Sequence, residues 1–234
     1  MFENAKWISA KVRENENGSY IFRKEFEAKT GVCKAELSCV GLGYGEFSLN
    51  GEKVSDDVLS TPFTRFDARV LYSIYDVTDS IRAGINVLGA FIGNGWYNVC
   101  SKAWNYGTAT WRHHPKFILK LDIEYENGEK QSVVSDSSWK SYVGASVYNQ
   151  LRAGERYDAR LELDGWNSVG FDDTNWGDTV VCRGAGGVLL PAKLPPIRII
   201  RTLNAKYLGN NVYDFGENIS GWVKIRAKGE RGKK

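Results

Sequence analysis

The chain has 234 residues, with 31 Lys and Arg against 28 Asp and Glu, for a formal net charge of +3. That near balance argues against nucleic acid and anionic membranes as partners, and no apolar run approaches the roughly 20 residues of a membrane helix. Aromatic residues reach 13%, with 25 Gly and 1 Met, a composition that favours sheets and turns over helices.

The first residues, MFENAKWISAKV, lack a basic segment followed by a long apolar one, so no export signal is expected and the location is read as cytoplasmic. YIFRKEFEA and CKAELSCVGL read as strands. YGEFSLNGEKV reads as a hairpin, with Phe47 and Leu49 before Asn50-Gly51 and Val54 beyond it. RVLYSIYDV predicts a further strand and NVLGAFIGNGW a buried one. Between them, DVTDSIRAGIN suggests a helical turn capped by Thr78 or Asp79 and ended by Gly84. In KFILKLDIEYENGEKQSVVSD, Leu119, Leu121, Ile123 and Tyr125 alternate with Lys120, Asp122 and Glu124, the mark of a strand with one buried face. It runs into Asn127-Gly128, whose two positions both tolerate positive φ.

Short strands with turns at roughly ten-residue spacing predict an all-β fold, a sandwich or a barrel, and residues 1–183 are read as a jelly-roll-like antiparallel sandwich. The next segment, RGAGGVLLPAKLPPIRIIRTL, combines a glycine cluster with Pro191, Pro195 and Pro196. It predicts an extended connector over 184–203. Residues 204–234 then read as the first strands of a second, truncated β domain, Val212 to Phe215 and Trp222 to Ala227.

Several groupings invite a chemical reading. The stretch GERYDARLELDGWNSVGFDDTNW sets Glu155, Asp158, Glu162, Asp164, Asp172 and Asp173 among aromatics, as a pair of glycosidase carboxylates would be. Arg152, Arg156 and Arg160 interleave with them, however, which suits a solvated face or an ion-pair lattice better. In FDDTNW, Asp172 to Thr174 are expected to cap a turn and Trp176 to fold back on the core; SDSSWK repeats that device with Trp139. The histidines, His113 and His114, are adjacent and would point to opposite faces of a strand, so they read as structural or surface residues and not as catalytic ones. Cys33, Cys39, Cys100 and Cys182 lack metal spacing and read as reduced core residues. No metal site and no cofactor are expected. GNGWYNVCSKAWNYG offers a better ligand grammar, because aromatic faces stack on sugars while amides take hydroxyls. Asn94, Trp96, Tyr97, Trp104, Asn105 and Tyr106 are the candidate carbohydrate-binding residues, and the alternative is that these rings close one end of the sandwich.

With these segments in hand, the sequence resembles the N-terminal part of bacterial α-L-rhamnosidases. GLGYGEFSLNGEKV, YDVTD, NVLGAFIGNGWY, GERYDAR, FDDTNW, PPIR and DFGENISGW follow the family's order across nearly the whole chain. The resemblance implies a parent enzyme that hydrolyses terminal α-L-rhamnosyl residues with inversion. Its catalytic acid and base would lie on an α/α toroid downstream of these residues, so no catalytic residue is assigned here. The implied partners are the catalytic domain of the same polypeptide and a rhamnose-containing carbohydrate. Asp158 and Arg160 are assigned to an interdomain contact. In relatives whose N-terminal sandwich binds rhamnose through calcium, the resemblance implies an Asp-Asn pair where this chain has Leu42-Gly43, which offers no side-chain oxygen to a hard cation. A Glu at 217 stands where the family pattern has Gln. A free-standing lectin-like module and a purely structural interdomain module are the competing readings.

Overall fold

A computed structural model describes residues 1–12, 15–99, 109–226 and 228–230. The chain divides into two units, Met1–Arg198 and Ile199–Lys234. The first contains β1 (Trp7–Ala10), β2 (Tyr20–Ala28), β3 (Val32–Leu42), β4 (Tyr44–Leu49), β5 (Glu52–Lys53), β6 (Arg69–Asp76) and β7 (Gly84–Gly93). It continues through β8 (Lys116–Tyr125), β9 (Lys130–Val134), β10 (Lys140–Val143), β11 (Ser146–Gln150), β12 (Gly154–Tyr157), β13 (Gly177–Cys182) and β14 (Val188–Pro191). No helix among the described residues is long and apolar enough to cross a membrane.

The strands form a β-sandwich. One layer runs β14-β6-β3-β8-β1 with β9 beside β8, and the other runs β10-β2-β7-β4-β5. Strand β13 joins them, because it pairs antiparallel with β1 on one side and with β10 on the other. Alternation decides what lies between the layers. Leu119, Leu121, Ile123 and Tyr125 of β8 face inward with Ala35, Leu37 and Cys39 of β3, against Phe22 and Phe26 of β2 and Leu88, Ala90 and Ile92 of β7. Phe117 is the centre of this core, edge-on to Phe22 at 5.0 Å, to Trp139 at 5.1 Å and to Phe47 at 6.0 Å. Such aromatic pairs each add about 0.5–1.5 kcal/mol beyond their area burial.

A second apolar cluster covers the outer face of the β6-β3-β8 layer. Val40, Leu42 and Ile118 point away from the main core and meet Phe66, Val70, Tyr72 and Tyr97. Phe2, Trp7, Trp96, Trp111 and Leu189 pack around them. Much of the aromatic content therefore serves this second layer of packing.

The turns show where local chemistry departs from expectation. Asn50 and Gly51 both take positive φ, 53° and 91°, as a tight hairpin requires. In the Asn127-Gly128 turn only Gly128 does, because the Asn127 side chain accepts from Glu129 N at 2.9 Å and Gly128 N donates to the Tyr125 carbonyl. The expected helical turn is one turn of 3-10 helix, Thr78–Ser80, and neither Thr78 nor Asp79 caps it. Val77 is its N-cap, with no side-chain cap; Asp76, one residue earlier, accepts from Thr78 N and Thr78 Oγ1, while Gly84 opens β7 instead of ending a helix.

The glycine- and proline-rich segment is also more structured than composition suggests. Val188 to Pro191 form β14, paired in parallel with Arg69 to Tyr72 of β6. Leu189 supplies the apolar contact, and Pro191 sits on an edge strand, where a missing N–H is tolerated. The second unit contains a hairpin, β15 (Lys206–Gly209) and β16 (Val212–Asp214), turned by Asn210 and Asn211 at positive φ and closed by the Tyr207–Tyr213 ring pair. The strand expected from Trp222 is not formed over 222–226; Trp222 is 60% exposed, and among the described residues no strand pairs with it.

Candidate functional site

The loop after β7 carries the strongest ligand grammar in the sequence, yet its first residue is locked inside the protein. Asn94 is fully buried. Its N–H donates to Asn149 Oδ1, its Nδ2 donates to the carbonyls of Asn17 and Asn149 at 2.9 Å, and its Oδ1 accepts from Asn98 Nδ2 at 2.7 Å. Every polar atom of that side chain is thus used in tying the loop to β11 and its surroundings. Substitution Asn94→Ala removes three side-chain hydrogen bonds from a fully buried position, so chemical denaturation is expected to show a loss of about 1–3 kcal/mol.

Tyr97 is 1% exposed. It lies edge-on to Phe66, with the buried Lys116 ammonium 5.9 Å from its ring, and burial pushes its phenol well above the ordinary range. It is a member of the second apolar cluster, close to the alternative in which these rings close off the sandwich. Trp96 is half-buried, with its ring 5.3 Å from that of Phe63. Phe63 is 49% exposed, so this pair is where the cluster reaches the surface. Phe63 carries no motif, and nothing in its sequence neighbourhood marks it. Trp104, Asn105 and Tyr106 lie outside the described residues.

The acidic stretch resolves into separate local roles. Asp158 receives Arg160 N, Nε and Nη2, a closed ring within three residues that holds its carboxyl down at about 2. Tyr157 donates to Glu162, which raises the phenol to about 12. Asp172 caps its turn by accepting from Thr174 N at 3.0 Å. Asp173 is the partner of a buried cation. Arg23, 1% exposed, donates to Asp173 and Glu25 and to the Ser168 carbonyl, while Lys140 reaches Asp173 from β10 at 2.7 Å. Burial alone would raise the Asp173 pKa, but Lys140 and Arg23 outweigh it and the net shift is downward. Trp176 then packs face-on between Tyr142 and Trp166.

The same device occurs at Asp136. Ser138 N donates to its carboxylate, Trp139 N to its carbonyl, and Lys24 clamps it at 3.1 Å. Arg23 and Lys24 are neighbours on β2 and so project to opposite faces. Each anchors one Asp-x-x-Trp turn, on one side and the other of the sheet. Among the described residues, no group of three or more His, Cys, Asp or Glu gathers as metal ligands would.

Residues 30–201 match the family described as the alpha-L-rhamnosidase N-terminal domain. The chain belongs to that family. An alpha-L-rhamnosidase of Streptomyces avermitilis is 35% identical over 210 residues, which cover 86% of this chain and 20% of the relative. Among solved structures, an alpha-L-rhamnosidase from Dictyoglumus thermophilum has a TM-score of 0.81 at 35% identity, covering 92% of this chain and 26% of that one. The Streptomyces avermitilis alpha-L-rhamnosidase complexed with L-rhamnose has a TM-score of 0.75 at 33% identity, covering 81% and 18%. The chain thus spans about a quarter or less of the length of these relatives.

This rhamnosidase N-terminal domain does not fit the calcium ligand pair that the resemblance implies for some relatives. Leu42 is buried in the second apolar cluster. Gly43 has φ +116°, and a Cβ there would meet the Gly93 carbonyl oxygen at 2.0 Å, so no liganding side chain has room. The signature segments have a structural meeting point elsewhere. Tyr75 of YDVTD donates to Asp57 Oδ2 at 3.0 Å, and Arg198 of PPIR donates to Asp57 Oδ1 at 2.8 Å. Burial alone would raise the Asp57 pKa, yet Arg198, Ser55 and Tyr75 together bring it below the ordinary value.

Proposed function

We propose that the chain is a non-catalytic N-terminal module of an enzyme that hydrolyses terminal α-L-rhamnosyl residues of glycans or glycosides. It supports the catalytic part of the same polypeptide and contacts carbohydrate through the surface around Trp96. The observation that carries this reading is the family match over residues 30–201 in a chain spanning about a quarter or less of its relatives.

The carboxylates support the non-catalytic part. Glycoside hydrolysis needs a carboxylic acid kept protonated near neutral pH, hence a raised pKa. Among the described residues every carboxylate that departs clearly from its ordinary value departs downward, including Asp57, Asp136, Asp158 and Asp173, each held by a nearby cation. Such groups accept hydrogen bonds and donate no proton. For carbohydrate, the exposed edge formed by Phe63 and Trp96 provides the ring surface on which a sugar face stacks.

Purified residues 1–234 are expected to release no p-nitrophenol from p-nitrophenyl α-L-rhamnoside, whereas the longer polypeptide does. Turnover by the fragment would overturn the proposal. Titration with L-rhamnose is expected to change the intrinsic tryptophan fluorescence, and Trp96→Ala to abolish the change. A flat titration removes the carbohydrate contact and leaves the supporting role.

A further inference from the structure

We propose that residues 184–198 form a latch, a strap docked along the β6 edge and clasped at its far end by Asp57, which releases as a unit while the sandwich stays folded. The proposal stands apart from any carbohydrate contact.

The near end is a glycine hinge. Gly186 takes φ +97°, and Gly187 lies so close to β6 that a Cβ would meet the Phe66 carbonyl oxygen at 2.4 Å and Arg69 N at 2.5 Å. From there the strap is held by Gly187 N to the Phe66 carbonyl, Val188 N to that of Ala68 and Ala192 N to that of Tyr72. Leu189 and Ala185 pack on the second apolar cluster. Beyond Ala192 the side chains of Lys193, Leu194, Pro195 and Pro196 are exposed. The prolines have no N–H to give, so this stretch is unanchored until the clasp.

The clasp gathers several contacts at one point. Val58 N donates to the Ile197 carbonyl at 2.9 Å, and Arg198 Nε donates to Asp57 Oδ1 at 2.8 Å. Asp57 is also held by groups outside the strap. Its side chain is 10% exposed, its N–H donates to Ser55 Oγ, and Tyr75 of β6 holds its other oxygen. A strap with two short attachment zones, apolar residues that are only partly buried and a glycine hinge belongs to the low-stability end of a fold, where segments open without global unfolding. Docked, it fixes Arg198 to the sandwich. Released, residues 185–198 form a tether that reaches roughly 45–50 Å when extended. The clasp therefore decides whether the end of the module is a fixed point or a swinging one.

Hydrogen exchange read by mass spectrometry tests this on the purified chain. In Asp57→Asn, and separately in Arg198→Gln, the amides of Val188 and Ala192 are expected to exchange about tenfold faster, while those of β8 keep their native protection. The charge-reversed pair Asp57→Arg with Arg198→Asp is expected to recover part of the loss. Unchanged exchange at Val188 and Ala192 in both single variants would overturn the clasp. Equal acceleration in β8 would overturn release as a unit, because the whole sandwich would then be opening.

Discussion

Asp173→Ala is expected to destabilise the first unit by about 3–5 kcal/mol, the usual consequence of removing one partner from a buried ion pair. Arg23 cannot follow its partner into water, because it is 1% exposed beneath Phe171, whose ring lies 5.7 Å from the guanidinium. Glu25 remains, but its side chain is 40% exposed and shares its charge with solvent. Urea denaturation at pH 7 measures the loss. The pH dependence supplies an internal control. The Asp173 pKa lies below its ordinary 3.8 in the folded protein, so its contribution is full above that value and falls away as pH drops through the lowered one. The gap between wild type and variant is therefore expected to narrow below about pH 4. A constant gap down to about pH 2 would show that the carboxylate charge is not what Arg23 needs. Leu substituted at both Arg23 and Asp173 is expected to recover much of the loss, since a buried pair replaced by apolar residues costs little.

Phe117→Ala is expected to cost about 3–5 kcal/mol, mostly from a cavity the sandwich cannot close. The ring projects from β8 of one layer and meets Phe22, Phe47 and Trp139 from the other, and the two layers are tied together by the ladders of β13. Phe117→Leu keeps most of the volume and is expected to cost less than about 1.5 kcal/mol. A lower urea midpoint with an unchanged slope identifies lost packing. A changed slope would mean that the denatured or native state itself had altered in compactness.

Much of this architecture was legible in the sequence, for identifiable reasons. Leu119 to Tyr125 alternate because β8 has the main core on one face, and Asn50-Gly51 turns as its residue types demand. The Asp-Trp turns were readable because Asp, Ser and Thr bond their own backbone locally. What could not be read was long-range. Arg23 looks like any strand arginine until Asp173, 150 residues away, folds over it. Val188 to Pro191 look like a linker because the strand that receives them, Arg69 to Tyr72, lies far back in the chain. The loop residues divided along the same line. Asn94 and Tyr97 have the composition of a ligand site, but partners from β11 and the second apolar cluster use them internally. Trp96 and Phe63, a residue outside every motif, form the edge that reaches the surface.

Strand β13 has a further consequence, in time. It is the seam of the sandwich, and the residues it joins are far apart in synthesis: Cys182 pairs with Trp7, and its thiol meets the Trp7 carbonyl across a separation of 175 residues. At the usual 5–20 residues per second, β1 waits roughly 9–35 s on the ribosome for its neighbour. During that wait Ile8, later wholly buried, has no wall on the β13 side, and the ladder edges of β1 and β10 that β13 will fill stay open. Folding is therefore gated by the emergence of one late strand. Conditions that slow translation before Cys182 lengthen the exposure of an edge that invites association with other nascent chains.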